Sequence, residues 1–286
     1  MRAQIIKKNA KQVSKVKKKP TAWECVQLAR LPQRPLALDY ILNVFNGFQE
    51  IHGDRFFGDD SAVIAGTAFL DDLPVMLIGQ QRGRDTKENL ERNFGMMHPE
   101  GYRKALRVMK LAEKFLKPII TLIDTSGAFP GVGAEERGQA EAIAKNLFEM
   151  AKIKVPIISV VIGEGGSGGA LGIGVANKVL MMENSIYSVI SPEGCATILW
   201  KNRELVQQAS EVLRLTALDL FKAHIVDGII PEPVGGAQLN YAETYKNFKK
   251  NIVLNLKPLL KLSPQTIVEQ RYKRFRSIGE FEEMKS

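Results

Sequence analysis

The strongest constraint on this chain is a local pattern that occurs twice. An apolar run, "PIITLID" (118–124), feeds a glycine-rich turn, "TSGAFPGVG" (125–133), and then the helical stretch "AEERGQAEAIAKNLFEMAK" (134–152). A second apolar run, "VPIISVVI" (155–162), feeds "GEGGSGG" (163–169) and a short glycine-rich helix in "GGALGIGVANK" (168–178). Apolar runs without alternation are strands buried on both faces, and strand, turn and helix in succession build a parallel α/β layer. In such sheets ligands lie beyond the carboxyl ends of the strands, so both glycine turns are expected to border one cleft.

The flanking sequence fills in the layer. "TAWECVQLARLPQRP" predicts a short helix closed by two prolines. "LALDYILNVFNGFQEIHG" predicts an amphipathic helix with Leu38, Ile41, Leu42, Phe45 and Phe48 on its core face, ended by Gly53. "SAVIAGTAFL" and "VMLIGQQ" flank the turn formers of "DDLP", which predicts a hairpin. "PEGYRKALRVMKLAEKFLK" is a helix started by Pro99, and "KVLMME", "SIYSVIS" and "GIIPEP" are further strands, with a helix from Gly194 to about Trp200. The tail, from "YAETYKNFKK" to "RFRSIGEF", predicts long basic helices suited to packing on a partner or a neighbouring domain rather than to forming a core.

Charge and cysteine usage exclude several classes. The 286 residues carry a formal net charge of +9, and eight of the basic side chains fall in the first twenty residues, which contain no acid. A lysine arm on a near-neutral body is expected to be a solvated tail, and it lacks the interleaved aromatics of a nucleic-acid reader. No run reaches the roughly 20 apolar residues of a membrane span, and no apolar segment follows the arm, so a cytoplasmic protein with neither membrane nor nucleic-acid partner is expected. Cys25 and Cys195 stand alone and His52, His98 and His224 are scattered, so no disulfide and no metal site is expected.

The second glycine turn fits two unrelated motifs. Gly163, Gly165 and Gly168 spell the G-x-G-x-x-G of a dinucleotide site, with Glu183 twenty residues on; Gly165, Ser167 and Gly169 spell the G-x-S-x-G of a serine hydrolase. The first reading makes the chain an NAD-dependent oxidoreductase, but the following helix is short and glycine-rich. The second needs His224 with Asp219 or Asp227, crowded into one short stretch, whereas triad partners come from separate strand ends. A third reading uses backbone alone. Neither turn holds a histidine, cysteine or lysine, and a glycine pair opening a helix leaves N–H groups free for a developing oxyanion.

Several blocks carry a resemblance. "RPLALDYI", "GDRFFGDD", "RNFGMMHPEGYRKALR", "IDTSGAFPGVGAEERGQAEAIA", "VIGEGGSGGALGIGV" and "YSVISPEGCATILW" closely resemble the alpha subunits of bacterial acetyl-coenzyme A carboxylase carboxyltransferase, from about Trp23 through "IIPEPVGGA". The resemblance implies a crotonase-like α/β fold of repeated β-β-α units with extra N- and C-terminal helices. It divides the chain into a basic flexible arm (1–20), a carboxyltransferase domain (21–255) and a C-terminal helical extension (256–286). It implies a transferase in an α2β2 heterotetramer with a zinc-containing beta subunit, served by a biotin carboxyl carrier protein and biotin carboxylase.

In that family carboxybiotin on the carrier gives its carboxyl group to acetyl-CoA, forming malonyl-CoA for fatty acid biosynthesis. The resemblance makes Gly168 and Gly169 the catalytic pair, whose N–H groups meet the biotin ureido oxygen as carbon dioxide leaves. Gly165, Gly166, Gly127, Ala128 and Gly131 then shape the cofactor-binding wall. Biotin's own nitrogen takes the proton, which accounts for the missing side-chain base. Arg103 and Lys104 are expected on an exposed helical face rather than in catalysis. The chain departs from the family at Ser126, where proline is frequent, and in its short arm; it also lacks the four-cysteine zinc module of the beta subunit, so it is expected to hold half an active site.

Overall fold

The computed structural model describes residues 19–279, so all but the last two residues of the basic arm and the final seven residues of the tail lie outside the described residues. Helix α1 (Ala22–Ala29) starts on a capping box in which Thr21 and Glu24 exchange backbone and side-chain hydrogen bonds, and it buries Cys25, Val26 and Ala29. Helix α2 (Ala37–Val44) stops at Phe45, and β1 (Asn46–Glu50) follows, with Gly47 at φ +61°. The single helix expected from 36 to 53 is therefore a helix and a strand. Leu42, expected on the core face, is 62% exposed.

Strands β2 (Val63–Leu70) and β3 (Leu73–Gln80) form the expected hairpin around Asp71 and Asp72. The short α3 (Thr86–Glu91) and the long α4 (Pro99–Lys114) lead to β4 (Ile119–Thr125). The helix expected from 134 to 152 is two, α5 (Val132–Glu136) and α6 (Gln139–Lys152), because Gly138 sits at φ +82° between them. Strand β5 (Ile157–Gly166) runs straight into α7 (Ser167–Leu171). There follow β6 (Lys178–Met182), β7 (Ile186–Ser188), α8 (Pro192–Trp200), α9 (Val206–Leu213), α10 (Ala217–Lys222), β8 (Gly228–Ile230), α11 (Tyr241–Leu259) and α12 (Pro264–Arg276).

The sheet order is β1-β2-β3-β4-β5-β6-β8, antiparallel over the first three strands and parallel from β3 onward. Period-two alternation sends Met76, Ile78, Ile157 and Val161 into one core, beneath α4 and α6, and Val75, Leu77, Ile158 and Val160 into the other. That second core is closed by α2 and α11. The tail is therefore part of the body rather than an outlying surface: α11 buries Phe248, Ile252, Leu256 and Leu259, and a boundary after residue 255 falls inside it.

One irregularity of the sheet falls at the second glycine turn. Strand β5 pairs with β6 only through Val161 and with β7 only from Glu164, while its pairing with β4 shifts register after Ile123. The sheet splits at the carboxyl end of β5, where the glycines are.

Candidate active site

The two glycine turns meet backbone to backbone. A Cβ on Gly166 would collide with the carbonyl of Ser126, and one on Gly169 would collide with the carbonyl of Gly127 and the nitrogen of Ala128. Only hydrogen fits at these two positions. At Gly165 the added atom would press on the Tyr187 ring, and at Gly131 on the Phe129 ring. Gly168 differs: its Cβ would meet nothing closer than Ile143 Cδ1 at 4.0 Å, and Gly127 would meet nothing within 4 Å. The protein's own packing does not require glycine at those two, and the space beside them is open.

Helix α7 begins here. Gly166 is its N-cap and no side chain caps it, so the Ser167, Gly168 and Gly169 N–H groups at its first three positions have no acceptor within the helix. Ser167 does not cap this helix: it is the first helical residue, exposed, with φ +51°. Buried side chains lock the turn from behind. Gln80 Nε2 donates to Gly169 O at 2.8 Å while its Oε1 accepts from Asp124 N at 3.2 Å, and Asn146 Nδ2 donates to Gly172 O at 2.9 Å. In front lies a largely apolar cavity of about 320 Å³ lined by Ser167, Gly168, Leu171, Tyr187, Val189 and Leu213 among others. A larger open groove, about 460 Å³ along Gln27, Leu28, Leu31 and Gly235, shares no lining residue with either turn.

Beneath the turns is a charged layer that the sequence reading missed. Asp124, at the end of β4, is 3% exposed and accepts the Glu164 N–H at 3.0 Å; burial pushes its carboxyl above the ordinary range. Glu164, at the end of β5, is 5% exposed and takes both arms of the Arg30 guanidinium, at 2.6 and 3.0 Å. Arg30 also donates to Glu193 at 2.7 Å, and Arg82 stands 3.7 Å from both Asp124 and Glu164. An acid closing each apolar run was the signal for Asp124 and Glu164. No local signal marks Arg30, because its partners are 134 and 163 residues away.

The competing chemistries do not assemble. Asp219 accepts from the Thr216 hydroxyl at 2.6 Å and Asp227 is taken by Arg274 at 2.6 Å, so neither acid orients the exposed His224, and among the described residues no hydrogen bond joins His224 to Ser167. Gly163, first glycine of the dinucleotide fingerprint, lies inside β5 against the Asp124 side chain rather than in a turn, and Glu183 accepts the Glu232 N–H at 2.9 Å. Arg103 and Lys104 are not on a free face either. Arg103 pairs with Asp54 at 2.7 Å, and Lys104 is 1% exposed, donating to Val63 O and pairing with Asp59, each at 2.8 Å. Both cysteines are buried, and burial pushes the Cys25 thiol up to about 11. Among the described residues no cluster of acids, histidines and cysteines is arranged to hold a metal, and no helix is long and apolar enough to cross a membrane.

The split, mostly parallel sheet between two helical layers is a crotonase-like α/β fold, shared with carboxylase and transcarboxylase subunits of known structure. Residues 2–279 match the family described as acetyl co-enzyme A carboxylase carboxyltransferase-like, and the chain belongs to that family. It is 59% identical over 261 residues to the acetyl-coenzyme A carboxylase carboxyl transferase subunit alpha of Geobacillus sp. (strain WCH70), covering 91% of this chain and 80% of that one. Among solved structures, the beta subunit of geranyl-CoA carboxylase from P. aeruginosa shares the fold at TM-score 0.62 and 17% identity, over 86% of this chain and 46% of that one. A Pseudomonas malonate decarboxylase hetero-tetramer in complex with coenzyme A does so at 0.61 and 17%, over 77% and 89%. The dinucleotide and hydrolase alternatives find no support in these matches.

Proposed function

We propose that this chain supplies the biotin half of an acetyl-CoA carboxyltransferase site, with Gly168 and Gly169 N–H as the donors to the ureido oxygen. The observation that carries the reading is the contrast between the two glycines: Gly169 is clamped against the first turn while the space over Gly168 is open. Together they form a rigid donor pair with room for a ligand. The apolar cavity beside them, about 320 Å³, suits a compact ring system with an aliphatic arm.

Carboxybiotin, when bound, supplies the carboxyl group and a ring nitrogen able to take a proton from the acetyl methyl. The chain's own residues orient and stabilise. The Gly168 and Gly169 N–H groups are held where negative charge develops on the ureido oxygen, an interaction whose loss typically costs about 10² to 10³ in rate. Gly165, Gly166, Gly127, Ala128 and Gly131 keep the wall close, and Gln80 prevents the turn from relaxing. Acetyl-CoA approaches from a partner: a zinc-containing beta subunit in an α2β2 assembly, with the biotin carboxyl carrier protein and biotin carboxylase upstream and malonyl-CoA as the product for fatty acid biosynthesis.

The test mixes the purified chain with its zinc-containing partner and measures malonyl-CoA decarboxylation that depends on free biotin. Activity from the mixture and from neither chain alone is expected. No activity from the mixture, together with NADH binding by the isolated chain, overturns the reading.

A further inference from the structure

We propose that Arg30 is a positioning residue for the Gly168–Gly169 turn, acting through the buried Glu164 carboxylate; the inference rests on the oxyanion reading above. Strand β5 loses its β6 partner after Val161 and gains β7 only at Glu164, so its ladder is interrupted on that side over Ile162 and Gly163. Residues 162 and 163 are the stretch of β5 without a strand partner on that side, so the contacts that hold them and Glu164 help to set the depth at which the turn begins. Two arginines from the N-terminal segment stitch this gap. Arg34 Nε donates to Ile162 O at 2.7 Å, and Arg30 grips Glu164 through Nε at 3.0 Å and Nη2 at 2.6 Å.

The grip is bidentate, which fixes orientation as well as distance. Its third arm reaches Glu193 in the first turn of α8 at 2.7 Å, so one guanidinium ties α1, β5 and α8 together. Burial acts to lower the Arg30 pKa, and the hydrogen bonds that Arg30 donates to the Glu164 and Glu193 carboxylates, with their charges, outweigh it, so the cation is held above the ordinary arginine value. Glu164 itself is buried while Arg30 is partly exposed, so an apolar residue at 164 would pack there at less cost in desolvation, and what the carboxylate adds is a fixed tie between β5 and the N-terminal segment. Glu164 lies four residues before Gly168, and its N–H is itself tied to Asp124 Oδ1 at 3.0 Å. Removing Arg30 leaves Glu164 buried with Arg82 as its nearest described cation, at 3.7 Å.

The test uses the complex of this chain with its zinc-containing partner and compares wild type, Arg30→Met, Arg30→Lys and the double variant Arg30→Met/Glu164→Gln. Biotin-dependent malonyl-CoA decarboxylation gives kcat and KM, and amide hydrogen exchange over residues 164–170 reports the turn directly. Arg30→Met is expected to lower kcat about 10²-fold with KM for malonyl-CoA within about twofold, as for a misplaced catalytic group. It should also speed exchange over 164–170 while the β2–β3 hairpin is unchanged. Arg30→Lys should recover part of both effects, and the double variant more, because a neutral amide leaves no buried charge unpaired. Wild-type kcat and exchange in Arg30→Met, or a double variant no better than the single one, overturns the proposal. A wild-type complex without transfer overturns the functional reading instead, and the exchange arm still decides whether Arg30 holds the turn.

Discussion

Gly168 and Gly169 are neighbours of identical chemistry, and their surroundings make opposite demands on them. Gly169 faces the backbone of Gly127 and Ala128, whereas Gly168 faces open space. Gly168→Ala should therefore leave the fold as stable or stabilise it by about 0.4–1 kcal/mol, since alanine loses less chain entropy on folding. Gly169→Ala should cost about 1–3 kcal/mol through overpacking. Urea unfolding of the two variants checks this, and equal midpoints would contradict the packing account. Both should lower transfer in the assembled complex, and only the Gly168 loss is free of a folding defect. The glycine pair itself was legible in the sequence, because an apolar run ending in glycines marks a strand end wherever it occurs. Which glycine is clamped and which is open was not, because the clamping backbone comes from the other turn. Arg30 was illegible for the same reason: a residue whose role is set by a distant carboxylate carries no local pattern.

Helices and strands were recognisable by their apolar period, and their interruptions were not. Periodicity tells which face of a segment is buried, but it continues smoothly across a point where the backbone leaves the helix. Phe45 and Phe48 kept helical spacing with Ile41, yet the chain turns extended at Phe45. The apolar pattern of 134–152 likewise crosses Gly138, which takes φ +82° and separates α5 from α6. This glycine is required by conformation rather than by space, since its nearest neighbour is Glu141 Cβ at 3.8 Å. Gly138→Ala should cost about 1–2 kcal/mol, the penalty of a left-handed L-residue. Gly133→Ala, inside α5, meets only Arg137 Nη1 at 3.2 Å, and a helix-propensity gain of about 0.5–1 kcal/mol offsets the shift forced on a guanidinium that Glu100 holds, so it should cost less than Gly138→Ala. Thermal unfolding of the pair tests the assignment, and a Gly138→Ala protein as stable as wild type would show that the two helices can merge. The strand β5 was extended too little by the sequence reading for a related reason: Gly165 and Gly166 look like turn residues, but β7 pairs with them.

On the scale of the whole molecule, distant segments are joined by buried polar hubs rather than by apolar packing alone. Arg271 of α12, 1% exposed, donates to the carbonyls of Met150 and Ile153 at 2.7 Å each and to Val155 O at 2.9 Å, which fastens the tail beneath the end of α6. Glu232, after β8, is the second hub. Its carboxylate accepts from Arg34 at 2.5 and 3.1 Å, from Asn184 Nδ2 at 2.9 Å and from Ala237 N at 2.9 Å. Burial works to raise its pKa, and the Arg34 charge and hydrogen bond outweigh this, so the folded value lies below the ordinary glutamate value of 4.5. A carboxyl depressed in the folded state contributes stability that is present above about pH 4.5 and is lost as pH falls through the folded value. Asp124 and Asp60 have the opposite sign: burial raises both above the ordinary 3.8, so each gives back stability on acidification. The Glu232 contribution can be separated from theirs by subtraction. Glu232→Gln should destabilise the protein by about 3–5 kcal/mol at pH 7, because Arg34 is left buried without its carboxylate. The gap between wild type and variant should then narrow below pH 4.5, as the wild-type carboxyl takes up its proton and the Asp124 and Asp60 terms cancel between the two proteins. Urea unfolding of both from pH 7 to pH 3 measures that gap, and a gap that stays constant over the range would mean that the Arg34–Glu232 pair does not titrate with folding.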